Sequence, residues 1–162
     1  MIPVNEPLLD GNEKTYLNEC IDTGWISSEG PFVKAFEDKF SEFIGVKHGV
    51  AVANGTAALE AALYAIGIGP GDEVIMPSFT IISCAIACIR LGAKPVLVDI
   101  YEDVWTMDIS QIESKITYKT KAIMAVHIYG HPVDMDPLFE LAKKYNLKII
   151  EDAAEVHGAQ YF

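Results

Sequence analysis

Three carboxylates crowd the end of an apolar run in the stretch KIIEDAAEVHGA, Lys148 to Ala159. Lys148-Ile149-Ile150 reads as a strand entering a core. Glu151 and Asp152 follow at once, and Glu155 comes three residues after Asp152. A carboxylate just past a buried strand end must be paired, hydrogen-bonded or neutralised, because taking an isolated charge out of water is costly. No Lys or Arg nearby in sequence is an obvious mate for Asp152, since Lys148 lies at the other end of the same strand. A ligand cation is one solution, and a protonated ring nitrogen of a cofactor suits it, because the carboxylate would hold that proton in place. The other solution is a helix cap or a salt bridge to a distant Arg.

A second stretch, VANGTAALEAAL, reads as a strand, then Asn54-Gly55-Thr56, then a helix. Gly55 allows a tight turn and close approach of a ligand to the backbone. Thr56 sits at the helix start, where free N–H groups and the positive end of the helix dipole favour an anion such as a phosphate. A plain capping turn would leave the same text. The run GIGPGD (Gly67, Gly69, Gly71) imitates a dinucleotide fingerprint, but it follows a helix and precedes a strand, the wrong order, and reads as a helix stop and a turn. His127, His131 and His157 are scattered and read as hydrogen-bonded structural histidines. Cys84 and Cys88, four apart on one helical face with no further ligand nearby, read as core thiols rather than metal ligands, so no metal site is expected.

These residues need elements to hold them. The first forty-odd residues read as two helices: NEKTYLNECIDTG, stopping at Gly24, and PFVKAFEDKFSEFIG, opening on Pro31 and ending at Gly45. Phe32, Phe36, Phe40 and Phe43 share a face of the second and read as core packing. The pattern then alternates. HGVAVA, DEVIMP, KPVLVDI, TKAIMAVHIYG and LKIIEDA read as strands, while GTAALEAALYAIG, SFTIISCAIACIRLG and DPLFELAKKYN read as helices, the last with a Glu140–Lys144 surface pair. Near-continuous apolar strands alternating with helices mean an α/β fold with a parallel sheet covered on both faces. Ligands in such sheets bind beyond the strands' carboxyl ends, where the sequence puts Asn54-Gly55-Thr56, Ser78, Asp99, His127 and Asp152. The expected division is a helical segment over 1–48 and a ligand-binding domain over 49–162.

The composition sets outer bounds. The chain has 162 residues, 51% of them apolar, enough for a core. Its formal charge of −11 argues against nucleic-acid and anionic-membrane partners, which need basic patches. The longest greasy stretch, FTIISCAIACI, is too short to span a bilayer. Three cysteines and no basic-then-apolar leader fit a cytoplasmic location.

Taken in order, TGWISSEGPFVKAFEDKF, NGTAAL, GIGPGDEVIMPSFT, GAKPVLVDI, TKAIMAVHIYGHPVDMDP and IIEDAAEVHGA resemble the DegT/DnrJ/EryC1/StrS family of pyridoxal-phosphate-dependent sugar aminotransferases across essentially the whole chain. The resemblance implies a three-layer α/β/α fold with a mostly parallel sheet, the large domain of fold type I pyridoxal-phosphate-dependent transferases, here truncated. It implies pyridoxal 5'-phosphate as cofactor, with Asp152 on the protonated pyridine nitrogen, Glu155 facing the cofactor, Gly55 and Thr56 at its phosphate, and Glu151 turned away as a structural residue. It also implies glutamate as amino donor, a nucleotide-linked 4-keto-6-deoxy sugar as acceptor, and a homodimer with sites at the subunit interface. The text of WISSEG, HIYGHPVDMD and EDAAE leans toward a GDP-linked sugar.

Two departures from the family pattern stand out. Ile81 occupies a position that is usually aromatic and lies against the pyridine ring; an aliphatic side chain there forgoes an offset-stacking contribution of about 0.5–1.5 kcal/mol. The Schiff-base lysine is expected beyond Phe162, so no catalytic residue is assigned within this chain. Some family members carry histidine at that place and deoxygenate instead, and a non-catalytic paralogue is a further alternative. Because the fold's last strands are expected to pair with HGVAVA, the 162-residue piece alone is expected to be poorly soluble or partly molten and not to hold the cofactor.

Overall fold

The computed structural model describes residues 2–3 and 6–161, which form two compact units, one through Ala51 and one from Val52 onward. The first contains helices α1 (Glu13–Thr23) and α2 (Pro31–Ile44). Both end on a left-handed glycine. Gly24 (φ 75°) donates its N–H to the Ile21 carbonyl, and Gly45 (φ 78°) donates to Glu42 and Ser41, satisfying carbonyls that the last turn would leave orphaned. The phenylalanine stripe of α2 is not the buried core its spacing predicts. Among the described residues of α2 only Ser41 is buried, and Phe36 and Phe43 are mostly exposed. Periodicity identifies a face that seeks cover, and two short helices with their loop supply too little surface to cover it. The rings meet one another instead: Phe36 stacks on Phe40, and Tyr16 packs against Phe32.

HGVAVA, expected as a strand, makes no ladder. A strand exists through its hydrogen-bonded neighbour, and residues 48–53 have none among the described residues. Part of this run returns to α2, where Ala51 N–H donates to Glu37 Oε1 at 2.9 Å.

The second unit runs α3 (Gly55–Ala65), β1 (Glu73–Pro77), α4 (Ser83–Arg90), β2 (Lys94–Val98), a 3-10 turn over 109–111 leading into α5 (Ile112–Lys115), β3 (Thr120–Val126), α6 (Met135–Tyr145) and β4 (Lys148–Asp152). The four strands form one sheet in the order β2-β1-β3-β4, and every pairing is parallel. Alternate residues of the inner strands feed two separate cores. Val74, Met76, Ala122, Met124 and Val126 pack with Leu59 and Leu63 of α3 and with Cys84, Ala87 and Cys88 of α4. Ile75, Ile123 and Ala125 pack with Ile112 of α5 and Leu138 of α6. Helices thus cover both faces, giving the three-layer α/β/α arrangement that the near-continuous apolar strands predict. Pro95, which cannot donate to a ladder, falls on β2 at the sheet edge, where it does least harm.

Two local expectations are corrected. Helix α4 begins only at Ser83, so residues 78–82 form a loop at the end of β1 that is free to line a site. Lys144 does not pair with Glu140. Its Nζ reaches Glu113 Oε1 of α5 at 2.6 Å, a tertiary partner winning over the neighbour one helical turn away. Among the described residues no helix is long and apolar enough to cross a membrane.

Candidate active site

The parallel register brings the ends of β3 and β4 level: Val126 pairs with Asp152, and His127 N–H donates to the Asp152 carbonyl at 3.1 Å. Side chains alternate across a strand, so the two acids at the end of β4 part company. Asp152 points inward and is 9% exposed, whereas Glu151 is exposed.

Two neutral donors hold Asp152 among the described residues. Its Oδ2 accepts the Cys84 S–H at 3.2 Å, and its Oδ1 accepts the Ala154 N–H at 3.2 Å. Among the described residues no ion pair involves it. Arg90, the single arginine of these residues, is bound to Glu60 at 2.6 Å and not to Asp152. Asp152 faces a cavity of about 210 Å³ lined also by Phe79, Thr80, Ile81, His127, Tyr129 and Glu155. The structure therefore gathers Ile81, Asp152 and Glu155 around one hollow beyond the strands' carboxyl ends.

The rest of the rim is built on hydrogen bonds. Glu155 Oε2 accepts the Tyr129 N–H at 2.6 Å, bracing a residue held in the left-handed region (φ 50°). On the far side of β4, His127 Nδ1 accepts the Val133 N–H at 3.0 Å, so the ring proton sits on Nε2 and donates to Glu151 Oε2 at 3.1 Å. That bond holds the Glu151 carboxyl below the usual carboxylate range, with burial opposing it. His127 is thus a hydrogen-bonded structural histidine, as its isolation in the sequence suggests.

Gly55 and Thr56 do not line this cavity. They open α3, where Asn54 Oδ1 accepts the Ala57 N–H and the Asn54 carbonyl accepts the Ala58 N–H. The amides of Gly55 and Thr56 are left at the helix start. Gly55 is not in a left-handed conformation, so no tight turn requires it, and a Cβ there would meet nothing within 4 Å. Open space over the backbone is what remains of its expected role. Thr56 Oγ1 bonds Ser83 Oγ at 2.8 Å, tying the start of α3 to that of α4. The remaining strand-end candidates, Ser78 and Asp99, lie outside the cavity lining; Ser78 N–H donates to Val98 and Asp99 Oδ1 accepts the Ile100 N–H. A larger cleft of about 1010 Å³, lined by Tyr101, His131, Asp134, Glu140, Lys144 and Tyr161 among others, contains none of the expected cofactor residues.

Sequence reasoning missed Cys84, Ser83 and an aromatic trio. Cys84 is a core thiol, as expected, and also a donor to the site carboxylate; burial, first of all, pushes its pKa up to about 12, so the S–H is intact at neutral pH. Phe79, Trp105 and Tyr129 meet edge to face at centroid distances of 5.8, 6.2 and 5.9 Å. They come from loops after three different strands, and no local pattern could have joined them.

A buried carboxylate without a cation, a cavity before it and an anion-suited helix start, all beyond the carboxyl ends of a parallel three-layer sheet, fit the large domain of a pyridoxal-phosphate-dependent transferase. The profile of the DegT/DnrJ/EryC1/StrS aminotransferase family matches residues 7–162, and the chain belongs to that family. It is 52% identical over 160 residues to the GDP-perosamine synthase of Escherichia coli O157:H7, covering 99% of this chain and 44% of that protein. It is 54% identical over 160 residues to the GDP-perosamine synthase of Caulobacter vibrioides, covering 99% and 43%. Among solved structures, NtdA from Bacillus subtilis with bound cofactor PMP superposes with a TM-score of 0.87 at 36% identity, over 91% of this chain and 34% of that one. The chain therefore spans less than half the length of the relatives it matches.

Proposed function

We propose that this chain is the cofactor-binding N-terminal part of a nucleotide-sugar aminotransferase that moves the amino group of glutamate onto a GDP-linked 4-keto-6-deoxy sugar, the perosamine-forming reaction, using pyridoxal phosphate. The observation that carries the reading is Asp152: buried, held by two neutral donors and in no ion pair among the described residues, and facing a cavity. Its relatives' names supply the substrate class.

The residues fit the cofactor. Bound there, pyridoxal phosphate would supply an electron sink for the electron pair left when the substrate loses its α-proton. Asp152 would keep the pyridine nitrogen protonated, the condition on which that sink depends. The Gly55 and Thr56 amides and the Thr56–Ser83 hydroxyl pair would hold the phosphate at the start of α3. Ile81 would pack on the ring, and Glu155 would face it from the loop after β4. The Schiff-base lysine is assigned to sequence C-terminal to these residues, and the working enzyme is taken to be a cytoplasmic homodimer.

The test is Asp152→Asn in the intact enzyme. Removing a charge placed for the reacting centre costs on the order of 10²–10³ in turnover. The bound coenzyme's absorbance should change with it. Undiminished transfer with an unaltered spectrum would refute the assignment.

A further inference from the structure

Cys84 lies in the first turn of α4 and is fully buried. Its sulfur stands between two groups of the site. On one side is Asp152 Oδ2 at 3.2 Å, and on the other Thr80 Oγ1 at 3.2 Å. The single S–H proton of Cys84 is donated to Asp152 Oδ2. The Thr80 hydroxyl must then be the donor to the sulfur. The result is a directed chain: Thr80 O–H to Cys84, Cys84 S–H to Asp152. Thr80 and Asp152 both line the cavity, so the chain runs behind the wall of the site and returns to it. Cys88, one turn further along the same helix and equally buried, packs in the same apolar cluster.

We infer that Cys84 is a positioning residue for Asp152. Its S–H fixes Oδ2 while the Ala154 N–H fixes Oδ1, and together they set the plane in which the carboxylate presents its remaining lone pairs to the cavity. A thiol is a weak donor. It can orient the carboxylate while drawing off little of the negative charge that a ring-nitrogen proton needs. A cationic donor in its place would neutralise the carboxylate in its own right and compete with the ligand. The inference rests on the cofactor reading above for its purpose, and on the chain's own geometry for the contact.

Two measurements on the intact enzyme test it. The first is pyridoxal phosphate affinity. Cys84→Ala should weaken binding about threefold to tenfold, the contribution of one neutral hydrogen bond. Cys84→Ser, which keeps a donor, should recover most of that loss, and Cys88→Ala, an equal deletion in the same helix, should leave affinity unchanged. The second is the infrared S–H stretch without ligand. The band lost in Cys84→Ala should lie below that lost in Cys88→Ala, and should move toward it in Asp152→Ala. Coincident bands, or Cys84→Ala binding the cofactor as Cys88→Ala does, would overturn the inference. If wild-type enzyme bound no pyridoxal phosphate, the cofactor reading would fail, and the bands alone would still decide whether the thiol holds Asp152.

Discussion

Each Asp152 oxygen accepts from one neutral donor, and the residue lines the cavity. Its thiol partner is protonated because burial pushes Cys84 up to about 12, and Cys88 to about 11 by the same cause. Neither thiolate is populated at neutral pH, and the thiolate is the reactive form. A disulfide reagent should therefore label only Cys20 rapidly in the native chain and all three thiols in denaturant; fast native labelling of a second thiol would contradict the burial of α4. Ile81 carries another prediction. It lines the cavity and is 60% exposed, so Ile81→Phe has room to stack on a ring. Cofactor binding should tighten by about 0.5–1.5 kcal/mol, read as a lower dissociation constant for pyridoxal phosphate. Asp152 was legible in the sequence because a carboxylate at a buried strand end demands a partner. Cys84 was not, because its partner is 68 residues away and SCAIAC reads as plain core until the fold brings the start of α4 to the end of β4.

The elements were legible wherever burial on both faces wrote itself into the text. VIM of β1 and AIMAV of β3 carry no polar residue because each face meets helices. HGVAVA has the same apolar look and forms no strand, since composition cannot supply a neighbour. Glu73, the first residue of β1, is a polar exception, as is Thr120 at the start of β3. Glu73 is buried and accepts the Thr117 hydroxyl at 2.6 Å, which, more than Lys94 at 3.5 Å, holds its carboxyl below the usual range. A depressed carboxylate adds stability that is fully present above its unfolded value, near 4.5, and is lost as pH falls through the lower folded value. Thr117→Val should therefore move acid unfolding to higher pH, as followed by far-UV circular dichroism, and leave neutral-pH secondary structure intact. In the first unit, a Cβ on Gly49 would stand 2.8 Å from the Glu37 carbonyl oxygen. Backbone cannot yield there cheaply, so Gly49→Ala should cost about 1–3 kcal/mol in a denaturant titration.

At the scale of the whole molecule, two surface properties oppose each other. Phe36 and Phe43 in the first unit and Ile81 and Ile82 in the second are more than half exposed, and exposed apolar side chains favour association. The formal charge of −11 keeps copies apart. Screening weakens that repulsion, since the Debye length shrinks from about 10 Å at 0.1 M salt to about 3 Å at 1 M, while apolar attraction does not weaken with it. The 162-residue chain by itself should therefore bind a hydrophobic dye at low salt and associate as salt rises, with light scattering increasing over that range. Pyridoxal phosphate should leave it on dialysis, because the acid and the helix start are present but the remainder of the relatives' length is not. A dye-silent monomer at every salt concentration that kept its cofactor through dialysis would show that these apolar faces need no cover and that the site is complete within these residues.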